Sequence, residues 1–86
     1  MRLNLTKLHA LPWTADPDTY VDHEGLTLAG RLAEDATAIL ARAQRDALGD
    51  SYDEDTDGLW TAIMDGTIES HRECLSWIRN HCRGYC

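Results

Sequence analysis

From Leu28 to Leu48, apolar residues fall at 28, 32, 36, 39, 40, 43 and 47, mostly three or four apart, which keeps one face of a helix apolar. Ala29, Ala33, Ala38, Ala41 and Ala43 add helix propensity, and Gly49 stands where a helix ending in the left-handed region would stop. Arg31–Asp35 and Arg42–Asp46 are each one turn apart on the polar face, adding ~0.3 kcal/mol apiece. A second apolar stretch opens with Leu59, Trp60, Ile63 and Met64 and is interrupted by Asp65-Gly66-Thr67, where Asp65 or Thr67 reads as a cap. It resumes as a seam of Ile68, His71, Leu75, Ile78 and Cys82, again at gaps of three and four, and Gly84 closes it. Glu69 near the start and Arg79 and Arg83 near the end of that segment suit the helix dipole.

The amino-terminal third is less regular. Apolar positions 3, 5 and 8 fit either a short strand or a single helical turn, and Pro12 and Pro17 break regular structure beyond them. Tyr20-Val21 and Leu26-Thr27-Leu28 flank Asp22-His23-Glu24-Gly25. That arrangement predicts a short hairpin about a glycine-ended turn, or alternatively a short helix begun at Asp16-Pro17 and stopped by Gly25. The expected architecture is therefore mainly α. A long helix over about 28–48 packs on a broken helix over about 58–82, and an irregular or short β-hairpin arm at the amino end lies across them. At 86 residues, positions 1–86 form a single small helical domain with a thin stability margin.

Charge changes the picture more than composition does. The net charge is −7, and residues 16–57 alone hold twelve acids against three bases. Such a field repels nucleic-acid phosphates and anionic lipid heads, so direct DNA, RNA or membrane binding is disfavoured and basic protein surfaces are favoured. No apolar run approaches the length of a membrane span, and the amino end lacks a signal-peptide core. The expected compartment is the cytoplasm, where three cysteines, an odd number, stay reduced.

Two constellations invite metal chemistry. Asp53-Glu54-Asp55-Thr56-Asp57-Gly58 matches the opening of a calcium loop, with carboxylates at alternate positions and a glycine for the sharp turn. The twelfth position, however, is Met64 where a bidentate glutamate should close the shell, and a solvated acidic loop is the plainer reading. At the carboxyl end, Cys74, His81, Cys82 and Cys86, with His71 nearby, are of the types that bind zinc tetrahedrally. A straight helix would hold Cys74 and Cys82 about 12 Å apart, beyond the span of one ion. Neither calcium nor zinc is therefore expected, and Cys74 and Cys82 read as small buried hydrophobes. A Cys–His dyad from Cys74 with His71 or His81 lacks anything to orient the base, and no phosphate loop or nucleophile elbow is present, so the chain reads as non-enzymatic. Trp13, Trp60 and Trp77 are candidate core residues, with Trp77 beside the seam the candidate interface anchor.

These observations point to an acidic binding protein that docks on a basic protein surface through Glu34, Asp35, Asp46, Asp50, Asp53, Glu54, Asp55 and Asp57. A sharper form has these carboxylates imitate a phosphate track and inhibit a nucleic-acid-binding protein, in the manner of viral anti-defence proteins; that form is analogy. The rival expectations are a homodimer or other self-assembly through the 68–82 seam, and a small zinc module built on the carboxyl-terminal His and Cys residues.

Overall fold

The computed structural model describes residues 2–49 and 56–81. Four helices follow one another in the chain: α1 (Leu5–His9), α2 (Leu28–Leu48), α3 (Asp57–Met64) and α4 (His71–His81). The protein is mainly helical, and no strand occurs among the described residues.

The long helix runs where its periodicity puts it. The Thr27 side chain accepts from the Gly30 amide at 3.1 Å to start it, and Gly49, at φ 60°, returns its N–H to the Arg45 carbonyl to end it. Leu28, Leu32, Ala33, Ala36 and Leu40 face the core. Ile63 and Met64 at the end of α3 share a groove with Leu28 and Leu32 at the start of α2. Leu59 and Ile63 of α3, Cys74 and Ile78 of α4, Ile68, and Leu8 and Trp13 from the amino end complete one cluster. The Trp13 indole N–H donates to the Leu8 carbonyl at 2.8 Å, so its polar end is satisfied inside.

The predicted break between α3 and α4 lies at 65–70, where Gly66 takes φ 87°. Asp65 caps the carboxyl end of α3, and its Oδ1 accepts from the Thr67 amide and hydroxyl. The next helix is started by neither Asp65 nor Thr67 but by Ser70. Its Oγ accepts from the Glu73 amide at 3.1 Å, while Glu73 Oε1 accepts from the Ser70 hydroxyl and the Glu69 amide. This is the Ser-x-x-Glu capping pattern.

The hairpin expected around Asp22–Gly25 does not form. The Asp22 carboxylate takes the Glu24 amide at 2.9 Å and the Leu26 amide at 3.3 Å, backbone donors that a strand ladder would need. The segment is instead a side-chain-pinned turn, with Gly25 at φ 82°. Of the alternative helix, a single turn exists: the Thr19 and Tyr20 amides both donate to the Asp16 carbonyl. The ambiguous 2–8 segment resolves as a short helix, α1, capped by Asn4.

Candidate functional site

Of the twelve acids in residues 16–57, three converge on one arginine. Arg31 meets Asp22 through Nε at 2.9 Å and Nη2 at 3.1 Å, Glu24 through Nη2 at 2.8 Å and Asp35 through Nη1 at 3.1 Å. The Asp22 side chain is only 1% exposed and the Arg31 side chain 11%, so this is an internal brace tying the 20–26 turn to α2. Arg31, followed by the Glu24 amide, the Tyr20 hydroxyl and the Leu26 amide, holds the Asp22 carboxyl well below the usual carboxylate range against the opposing effect of burial. The Tyr20 hydroxyl is correspondingly raised, first by burial and then by donating to Asp22.

The predicted docking acids therefore divide. Asp35 belongs to the brace, half-buried. Asp46 is exposed but lies 3.4 Å from Arg42 and shares a groove with Arg2 and Lys7, a basic neighbourhood. Glu34 on α2 and Asp57 in the first turn of α3 are exposed and pair with no arginine or lysine among the described residues. Asp16 and Asp18 share that condition, although nothing in the sequence sets them apart from the other acids. Asp50, Asp53, Glu54 and Asp55 lie outside the described residues.

The calcium-loop reading meets a structural obstacle. Its fifth to twelfth positions, 57–64, are the helix α3, and Gly58 is not among the glycines with positive φ. A side chain at Gly58 would bring its Cβ to 3.0 Å from the Trp77 ring. Gly58 thus permits close packing of α3 on α4 rather than the sharp turn a cation loop demands.

The carboxyl-terminal zinc candidates are not assembled among the described residues. Cys74 is fully buried, and burial pushes its thiol up to about 12, which favours the protonated form at neutral pH. His81 is exposed, its Nδ1–H donating to the Trp77 carbonyl at 2.8 Å and its ring stacked on Trp77 with centroids 4.1 Å apart. No group of three or more His, Cys, Asp or Glu side chains among the described residues gathers for a metal, and Cys82 and Cys86 lie outside those residues. Trp77, the predicted anchor, is half-buried against the core and the Gly58 backbone. The exposed tryptophan is Trp60.

His71 does not face Cys74 as a base. Its ring meets His9 of α1 edge-on, centroids 4.8 Å apart, and its Nε2 is buried with no hydrogen-bond partner. Burial, and secondarily the charge of His9, lower its pKa from the ordinary 6.5. A histidine whose folded-state pKa is depressed contributes fully above its unfolded value, and that contribution is lost as pH falls below about 6.5. Thermal melts should therefore be level between pH 7 and 8 and decline from about pH 6.5 to 5, with His71→Leu flattening the decline. An unchanged slope in that variant would remove His71 as the cause.

No described helix is long and apolar enough to cross a membrane. No family model, curated protein or solved structure matches the chain.

Proposed function

We propose that this chain is a non-enzymatic, cytoplasmic binding protein whose acidic surface docks on a basic protein. The observation that carries the reading is the unpaired part of the charge. Of the twelve acids in 16–57, Asp16, Asp18, Glu34 and Asp57 are exposed with no arginine or lysine against them among the described residues. Charges left in this state raise association rates and select partners of opposite sign, with a strong dependence on salt. A protein that holds DNA or RNA in a basic channel is the most complementary partner, since the carboxylates compete with phosphates for the same arginines and lysines. Inhibition of such a nucleic-acid-handling protein, as in viral anti-defence, is the specific form of the proposal.

Affinity capture from host extract, followed by elution with salt and separately with competing duplex, tests both forms. The captured partner should be basic, its affinity falling by roughly tenfold or more between ~50 and ~300 mM salt. Glu34→Lys combined with Asp57→Lys should weaken the capture further. Competing duplex should release the partner if the carboxylates stand in for phosphates. Binding indifferent to salt, or unchanged by both charge reversals, would sink the docking reading.

A further inference from the structure

The apolar surface adds a second component to this binding. Between the Trp13–Pro17 segment, the start of α2 and the end of α3 runs a groove of about 350 Å³, open to solvent and floored by Trp13, Leu28, Ile63 and Ile68. On the outer face of α3, Trp60 and Met64 stand one turn apart and are 39% and 46% exposed. Met64 also lines the groove, so ridge and groove form one apolar tract. A tryptophan and a methionine are side chains that anchor protein contacts: the first supplies large rigid area, the second adapts its shape.

The charged side chain at the edge of the tract is an acid. Among the described residues Glu69 is the only charged one that lines the groove, and Asp16 and Asp65 lie next to its lining residues in the chain. All three are exposed, and none pairs with an arginine or lysine among the described residues. The Trp13 indole N–H is already used on the Leu8 carbonyl. A small-molecule site would present several convergent polar groups to fix orientation, whereas the side chains here offer one carboxylate at the edge. Apolar floor, exposed anchors and edge carboxylate complement an amphipathic helix with a row of apolar side chains flanked by lysine or arginine.

We infer that the Trp60–Met64 ridge and the groove beside it receive the apolar face of a basic amphipathic helix of the partner, with Glu69 meeting its flanking cations. The inference rests on the docking reading for the sign of the partner's charge, and on the groove for its shape.

The test titrates the full chain with an ~18-residue model helix in which leucine recurs at helical spacing and lysine fills the other positions. Binding is followed by amide and indole NMR shifts. The expected result is shifts at Trp60, Met64, Ala29 and Gly66, with affinity roughly tenfold weaker for Trp60→Gln or Met64→Gln and weaker again for Glu69→Lys. Both Gln variants lie at exposed positions, and a melt by circular dichroism establishes that they fold. If a scrambled leucine/lysine peptide or oligolysine binds equally well, the groove inference is overturned while the acidic docking reading stands. If a leucine/glutamate helix of the same pattern binds as tightly, the charge argument fails and both readings fall. Concentration-dependent dimerisation abolished by Met64→Gln would make a second copy the occupant and overturn the inference too.

Discussion

Arg31→Met should lower the melting temperature at neutral pH by of order 10 °C or more, and should shift the protein's response to mild acid in the stabilising direction. The guanidinium holds Asp22, Glu24 and Asp35 together, and the Asp22 side chain is 1% exposed. Without it, a carboxylate remains inside the turn with two like charges nearby, while burial, already opposing ionisation in the native protein, becomes the leading influence on its pKa. In the native protein the Asp22 pKa is depressed. Its stabilisation is present above the ordinary value of 3.8 and is lost only as pH falls further, through the folded-state value. The variant's Asp22 pKa is expected to be raised, because burial and the neighbouring Glu24 and Asp35 carboxylates outweigh the hydrogen bonds left from the Glu24 and Leu26 amides and the Tyr20 hydroxyl. Lowering the pH from 7 to 5 should therefore stabilise the fold relative to the native protein. Melts of both proteins across that range decide the matter. The readout is the difference between their slopes, because the His71 contribution is common to both. A variant whose melting temperature falls with acid in parallel with the native protein would show that Asp22 is not charged and enclosed in the brace.

The same brace explains what the sequence disclosed and what it withheld. The i,i+4 pair Arg31–Asp35 is legible because its partners are set by helical spacing alone, and it is present at 3.1 Å. Asp22 and Glu24 reach the same arginine from nine and seven residues away, across a turn whose shape the contact itself creates. Tyr20-Val21 and Leu26-Thr27-Leu28 look like strands about a glycine turn until the Asp22 carboxylate, held from the other side by Arg31, takes the amides of 24 and 26. The α2 boundaries are readable because Thr27 and Gly49 act locally, through a side-chain oxygen and a positive φ. The start of α4 is also written locally, in Ser70 and Glu73, but the more conspicuous Asp65-Gly66-Thr67 turn just upstream masks it. Gly58 carries the opposite lesson. Its place in an acidic run suggests a cation loop, whereas its role is the close approach of the Trp77 ring, a tertiary fact with no local signature.

The exposed tryptophan differs from the predicted anchor for a related reason. A periodic seam predicts which residues are apolar together, not whether the chain itself or a partner covers them. Trp77 flanks a well-marked seam and is half-buried against the protein's own core. Trp60 and Met64 sit in a short run of almost unbroken hydrophobicity where period gives no phase, and α3 is too short to hide both faces.

That distinction yields the largest single-residue effect expected. Read from the sequence, with the 68–82 seam as a self-association surface, Ile78→Asp or Leu75→Asp is a probe of dimerisation by molar mass. In the structure Ile68, Cys74 and Ile78 belong to the protein's own core, with Ile78 1% exposed. An aspartate there loses the burial of a whole branched side chain and places a charge without a partner in an apolar cluster. Truncation alone costs roughly 2–5 kcal/mol, and desolvating the carboxylate adds to it. A domain of this size has a total stability of only about 5 kcal/mol. Ile78→Asp should therefore be unfolded at 25 °C, with loss of helical circular dichroism and collapse of amide shift dispersion. Leu75→Asp, at a half-buried neighbour on the same helix, should remain folded with a lower melting temperature. Protection separates the two interpretations. If Ile78→Asp gives a folded monomer of native dispersion, the isoleucine is not part of the internal core, and α4 would have to be repositioned with its seam facing outward.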